Sequence, residues 1–256
     1  MNDIEQNAMR KAGVFNAQLM DYIREYVKPG VTTEYINTLV DTYTRDHGHI
    51  PAPLHYGGFP KSCCISVNDV VCHGIPNDYV LQDGDIVNID ITSIVDGWHG
   101  DQSETFLIGQ VSNKARDVAQ CALDSLWSAI DALEPNCPIA TIGKAIECEA
   151  SQYNFSIVRE LTGHGLGKNF HQEPTVTHYV TPQSEKAHIS PGTCFTIEPM
   201  INTGSPDVIF DKNDGWTVRT KDGGLSAQFE HTILMTTNGP EVLTVTKQGP
   251  QRGHVF

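Results

Sequence analysis

Asp85-Ile-Val-Asn-Ile-Asp90-Ile-Thr-Ser-Ile-Val-Asp96-Gly97-Trp-His-Gly-Asp101-Gln-Ser103 alternates apolar and polar side chains on the approach to an Asp-Gly pair. Ile86, Asn88, Asp90 and Thr92 fall on one face and Val87, Ile89 and Ile91 on the other, which is the two-residue period of a strand. Asp96-Gly97 reads as a two-residue hairpin turn. Pairing Val95 with Trp98 across that turn sets Asp90 opposite Ser103 and Asp101 opposite Thr92. Asp90 and Asp101 then share a face as diagonal neighbours, with Cα atoms about 7–8 Å apart. Two acids flanked by apolar residues cost free energy unless a counter-charge meets them. The same pair facing water needs no partner, and the segment alone leaves both readings open.

On the amino-terminal side, Ile4, Met9, Ala12, Phe15, Leu19, Tyr22, Ile23 and Tyr26 recur at helical spacing up to Lys28-Pro29-Gly30. A second helix is expected from Thr32 or Thr33, either able to cap it, with Ile36, Leu39, Val40 and Tyr43 inward and His47-Gly48 as its end. On the carboxyl-terminal side the order returns. Val118, Ala122, Leu126, Ala129, Ile130 and Leu133 give a helical stripe that stops at Glu134-Pro135-Asn136, about 106 residues after the first stop, and a shorter helix is expected over 142–150. Strand-like segments follow each pair. The expected organisation is therefore α/β (α+β), one unit over 1–256 with similar halves at about 1–110 and 111–256. Any α+β chain can show two helix pairs, so the repeat is an expectation from order rather than from residue identity.

Three more segments place ionisable groups in apolar, strand-like sequence: Glu160-Leu-Thr-Gly-His-Gly-Leu-Gly167, Cys194-Phe-Thr-Ile-Glu-Pro-Met200 and Ser226-Ala-Gln-Phe-Glu-His-Thr-Ile233. Alternation sets Glu198 and Glu230 on the face opposite Phe195, Ile197 and Phe229. Each acid alone reads as an exposed strand residue; two Asp, two Glu and one His together do not. Four carboxylates and an imidazole balance two divalent cations, and oxygen-rich ligation with one His suits Mn, Fe(II), Co or Zn. Two such ions about 3.5–4 Å apart lower the pKa of a shared water and polarise a carbonyl, so the chemistry implied is metal-assisted hydrolysis.

Composition agrees. With 39% hydrophobic residues the chain can bury a core without staples, and 17 Lys and Arg against 31 Asp and Glu, a net charge of −14, argue against binding a phosphate backbone. The seven cysteines form no CxxC pair and are expected as reduced, mostly buried thiols. The first ten residues lack a signal-peptide pattern and no apolar run spans a membrane, so a cytoplasmic location is expected. Gly163-His-Gly-Leu-Gly-Lys168 is not a phosphate loop, because Asn169 stands where Ser or Thr is needed. His47, His49, His55, His99, His178, His188, His231 and His254 show no ligand spacing and are expected to be surface or hydrogen-bonded histidines.

The motifs Pro60-Lys-Ser-Cys-Cys-Ile-Ser-Val-Asn-Asp-Val-Val-Cys-His-Gly-Ile-Pro76, Val87-Asn-Ile-Asp90, Gly100-Asp-Gln-Ser103, Gly163-His-Gly-Leu-Gly167, Phe170-His-Gln-Glu-Pro174, Thr196-Ile-Glu-Pro-Met200 and Ser226-Ala-Gln-Phe-Glu-His231 occur in this order. Along nearly its whole length the chain resembles the type I methionine aminopeptidases. The resemblance implies the duplicated pita-bread fold and removal of initiator methionine from nascent polypeptides when the second residue is small. It implies two divalent ions on Asp90, Asp101, His164, Glu198 and Glu230, with Glu198 also moving the proton. It places His171 on the scissile carbonyl oxygen and His73 near the scissile amide. Tyr56, Phe59, Cys64, Phe170 and Trp216 match the methionine pocket, and Asn68, Val70 and Ser226 match a sodium or potassium site. Pro53 and Phe59 depart from members with Cys and Tyr there.

The expected setting is a monomer acting near the ribosome exit, with charge and hydropathy arguing against a nucleic-acid or membrane partner. The competing readings are a proline-specific peptidase of the same fold and a non-catalytic homologue acting as a binding protein. Type II members carry a helical insertion between the two glutamates, and the 32 residues from Glu198 to Glu230 leave no room for one.

Overall fold

Asn2 opens the first helix of the computed structural model, which describes residues 1–256. Its side chain accepts from the N–H groups of Ile4 and Glu5 while the Glu5 carboxylate accepts from the Asn2 N–H, a reciprocal cap absent from the apolar pattern. The helix, α1 (Asp3–Arg24), buries Met9, Ala12, Phe15, Leu19 and Ile23. Ile4, counted on that stripe, stands in the first turn and is 82% exposed. Thr32 caps α2 (Thr33–Asp46) by accepting the Tyr35 N–H.

Five strands follow: β1 (Ile50–Pro51), β2 (Cys64–Val67), β3 (Val70–Cys72), β4 (Ile86–Val95) and β5 (Trp98–Leu107). Then come α3 (Asn113–Asp131) and α4 (Ala140–Tyr153). The remaining strands are β6 (Ser156–Ile157), β7 (Gly163–Gly165), β8 (Gln172–Val176), β9 (Cys194–Ile197), β10 (Met200–Asn202), β11 (Val208–Phe210), β12 (Val218–Thr220), β13 (Ser226–Gln228), β14 (His231–Thr236) and β15 (Gly239–Val242).

The hairpin has the expected register: Val95 faces Trp98, Thr92 faces Asp101 and Asp90 faces Ser103, with no bulge. Asp96 and Gly97 both adopt positive φ, 51° and 82°, as a turn whose twist matches the flanking strands requires. β5 pairs along one edge of β4, while β2 and β1 pair in succession along the other. Val87, Ile89 and Ile91 meet α1 and α2 in one core; α3 and α4 cover Phe195, Ile197, Ile201, Phe229 and Ile233 in another. No helix is long and apolar enough to cross a membrane.

The second group of strands forms a five-stranded sheet, β15-β14-β9-β7-β8, and a three-stranded sheet, β13-β10-β6. Two chain segments pass between them. β9 pairs with β14 in the larger sheet and β10 with β13 in the smaller. Glu198 and Glu230 sit at the two crossings. Sequence alternation read both as strand residues, and they are corner residues. Pro199 cannot donate to a ladder, and the Glu230 N–H leaves its sheet to reach the Ser103 carbonyl of β5 at 3.0 Å. The Gln228 carbonyl likewise accepts from Asn88 Nδ2 at 2.8 Å and Thr105 Oγ1 at 2.7 Å. These bonds tie β4 and β5 to the second group of strands beside the acids.

Candidate metal centre and substrate pocket

Asp90 and Asp101 rise from β4 and β5, His164 from β7, and Glu198 and Glu230 from the two corners, and all five line one cavity of about 680 Å³. Asp101, His164 and Glu230 offer ligand atoms within 4.8 Å of one another. His164 Nε2 lies 3.7 Å from both Asp101 Oδ2 and Glu198 Oε1. No Lys or Arg is among the residues lining this cavity.

The electrostatics follow from that arrangement. Burial holds the carboxyls of Asp90, Glu198 and Glu230 well above the usual range, and their neighbours' charges push the same way; Asp101 is raised to about 7, again by burial. Burial also lowers His164 to about 4, helped by His171, so its imidazole is neutral. Its Nδ1 is 3.1 Å from the Gly165 carbonyl, a bond that needs the proton on Nδ1 and leaves the Nε2 lone pair toward the acids. Four carboxylates, Asp101 and Glu230 buried and Asp90 and Glu198 partly so, without a cationic side chain and beside a neutral imidazole lone pair, fit divalent cations and make little sense as an apolar core.

Close packing sets these positions. A Cβ on Gly163 would lie 2.6 Å from the Thr196 carbonyl oxygen, and one on Gly165 would lie 2.1 Å from that of Glu173. Only glycine on either side of His164 lets β7 fit between its neighbours. Thr92 Oγ1 donates to Asp101 Oδ1 at 2.7 Å. Thr196 Oγ1 donates to Glu198 Oε1 at 2.8 Å and accepts the His164 N–H at 3.0 Å, so one hydroxyl links two of the five. Gln228 Nε2 holds Glu198 Oε2 at 3.2 Å.

Every other residue matched to the methionine pocket or the reacting bond also lines this cavity: Tyr56, Phe59, Cys64, His73, Phe170, His171 and Trp216. Phe59 packs edge-on against Trp216 at 5.2 Å between centroids, and Phe170 stacks on His171 at 4.3 Å. Pro53, Cys72, Leu161 and Met200 complete the apolar lining. Asn68, Val70 and Ser226 stand away from this wall. The Asn68 carbonyl accepts the Ser226 N–H at 2.9 Å, and the Ser226 hydroxyl is buried without a partner.

Thr196, Gln228 and His178 were missed. The first two lie two residues before Glu198 and Glu230, so the period of a strand already put them on the same face. His178 is hydrogen-bonded, as expected, but its partner is the backbone of Glu198. It is wholly buried, its Nε2 accepts the Glu198 N–H at 3.2 Å, its Nδ1 has no partner, and burial lowers it to about 3. Nothing near His178 in sequence signals that contact. His99 and His231 are buried but bonded, to the Gly167 carbonyl and the Thr244 hydroxyl.

The description of metallopeptidase family M24 matches residues 7–237. The chain is 47% identical to the methionine aminopeptidase of Rickettsia prowazekii over 238 residues, covering 93% of this chain and 92% of that one. The crystal structure of that organism's methionine aminopeptidase superposes with a TM-score of 0.93 at 46% identity, over 96% of this chain and 98% of the other. The prolidase of Pyrococcus horikoshii shares the fold alone, with a TM-score of 0.73 at 20% identity over 96% of this chain and 63% of that one. The architecture is the pita-bread fold.

Proposed function

We propose, because the chain belongs to metallopeptidase family M24 and removes the amino-terminal methionine of polypeptides, that it does so with two divalent ions held by Asp90, Asp101, His164, Glu198 and Glu230. The observation that carries this reading is the group of four carboxylates, buried or partly buried, and one neutral imidazole with no cationic side chain beside them. The ions, when bound, supply Lewis acidity, which acidifies water and polarises a carbonyl oxygen. Glu198 takes the proton of the attacking water and passes it to the departing amine, its carboxylate oriented by Thr196 on Oε1 and Gln228 on Oε2. His171 donates from its free ring nitrogen to the carbonyl oxygen as charge develops there. His73 stands at the amide nitrogen side.

The methionine side chain occupies the pocket of Tyr56, Phe59, Cys64, Phe170 and Trp216, where aromatic faces and sulfur suit a thioether. Phe59, 2% exposed and without a hydroxyl, keeps that wall apolar. Only strands β10 to β13 lie between Glu198 and Glu230, which supports the type I reading. We read Asn68, Val70 and Ser226 as offering oxygens to a sodium or potassium ion, the unpartnered Ser226 hydroxyl being the supporting feature. The chain is read as one catalytic unit of two halves, at about 1–110 and 111–256. It acts as a cytoplasmic monomer on nascent chains near the ribosome exit.

The test is a side-by-side assay of Met-Ala-Ser, Leu-Ala-Ser, Met-Leu-Ser and Arg-Pro-Pro after anaerobic reconstitution with Mn, Fe(II), Co or Zn. Met-Ala-Ser is expected to be cut fastest and Met-Leu-Ser poorly, since steric exclusion of a large second side chain outweighs the few kcal/mol its burial can return. Preference for Arg-Pro-Pro, or Leu replacing Met without loss, overturns the substrate assignment. Metal titration should reach full activity at two ions per chain, and saturation with one retires the second ion.

A further inference from the structure

Tyr56 is matched to the methionine pocket, yet its hydroxyl points to another task. The residue begins a tight turn over 56–58 in which the Phe59 N–H returns to the Tyr56 carbonyl at 2.9 Å and His55 takes a positive φ of 70°. The turn lies against the pocket wall: a Cβ on Gly57 would stand 3.1 Å from the ring of Trp216. The Tyr56 ring is 4.9 Å from Phe170 and 5.2 Å from His171, as an apolar lining residue would be. Its hydroxyl, however, is 2.9 Å from His171 Nδ1, and that is its one hydrogen bond within the protein.

The direction of that bond follows from the two groups. A phenol is a stronger acid than a neutral imidazole N–H, and an imidazole lone pair is a stronger base than a phenol oxygen, so the tyrosine donates. Nδ1 is then the acceptor and the ring proton sits on Nε2, the nitrogen with no partner in the protein, on a side chain that lines the cavity. That tautomer is the one a donor to a carbonyl oxygen needs. The opposite tautomer would turn a lone pair toward the developing negative charge. Phe59, which lines the same pocket without a hydroxyl, shows that an apolar wall does not itself require one.

We propose that Tyr56 is a positioning residue: its hydroxyl fixes the tautomer and ring plane of His171, so that Nε2–H is presented to the substrate carbonyl. The inference rests on the reading of His171 as the carbonyl donor given above. The ring stays part of the methionine pocket; the hydroxyl acts through His171 and only there.

The experiment is a double-mutant cycle in the metal-loaded enzyme, with kcat, KM for Met-Ala-Ser and metal content measured for Tyr56→Phe, His171→Ala and the pair. Tyr56→Phe removes one oxygen from a half-exposed side chain and keeps the ring. It should lower kcat about tenfold, leave KM within about twofold and keep the metal content of the parent. In the His171→Ala background it should change kcat by less than about twofold, because its target is gone. A rise in KM with kcat intact overturns the proposal and returns the hydroxyl to the pocket. Multiplicative losses in the pair, loss of metal, or no loss from Tyr56→Phe overturn it too. If those results come with a kcat loss of roughly 10²–10³ in His171→Ala, the reading of His171 survives and only the role of Tyr56 falls. If His171→Ala keeps its kcat, both fall together.

Discussion

Glu198 is the residue with most asked of it, and its surroundings are built for a carboxylate. A hydroxyl donates to one oxygen and an amide to the other; in an amide variant one donor keeps a carbonyl acceptor of the same shape and only the other meets an N–H₂. Glu198→Gln should therefore keep the fold and lose nearly all turnover. Retention of more than about a tenth of kcat, roughly 1.4 kcal/mol of barrier, would remove Glu198 from the proton path. Thr196→Val tests the link between Glu198 and His164. The isosteric change leaves the His164 N–H and one Glu198 oxygen without their partner, at a cost of about 1–3 kcal/mol in stability. Denaturant unfolding should show that loss, with weaker metal retention alongside it. An unaltered unfolding midpoint would mean that water replaces the hydroxyl fully.

At the scale of elements, the β4–β5 hairpin was legible because alternation and an Asp-Gly pair fix register locally, and a slip of one residue would turn both acids to the wrong face. The corners holding Glu198 and Glu230 were not legible. A strand that leaves one sheet for another looks, in sequence, like a strand that continues, and only Pro199 hinted at the break. β7 depends on close approach instead. In Gly163→Ala the new Cβ would meet the Thr196 carbonyl backbone at 2.6 Å, with no flexible side chain to yield, so β7 must move away from β9. Expected are a stability loss of about 1–3 kcal/mol and a fall in activity from displacement of His164. Calorimetry and metal analysis together check it; a variant with parental Tm and activity would show that the two strands separate freely.

For the whole molecule, the buried acids couple metal, protons and stability. Asp101 rises to about 7 and its three partners rise with it, all chiefly through burial, so the metal-free folded chain binds more protons than the unfolded chain between about pH 4 and 7. The stability those protons contribute is present below the unfolded pKa and is lost as pH rises through the folded one. Bound divalent ions reverse the requirement, since they favour the ionised carboxylates. Chelation should thus lower Tm most at high pH. With metal at about a hundred times Kd the difference is about 2.7 kcal/mol, or about 5–10 °C for a chain of this size. Melting curves at pH 5.5 and pH 8, with and without chelator, should show the gap widening with pH. A gap that narrows, or a metal-free Tm that climbs with pH, would separate these acids from the stability of the fold.

Alternation, turn chemistry and charge were enough to place Asp90 beside Asp101, to set the two helix pairs, and to single out His164, Glu198 and Glu230 as ionisable groups in apolar surroundings. Those features depend on neighbours in the chain, where period and turn residues act directly. Tertiary structure alone decided that five groups from separate strands and corners share one cavity, that His178 supports the Glu198 backbone and that the Tyr56 hydroxyl meets His171. Each of those contacts joins segments whose separation in sequence carries no periodic signal, so period and turn residues, which act between chain neighbours, cannot announce them.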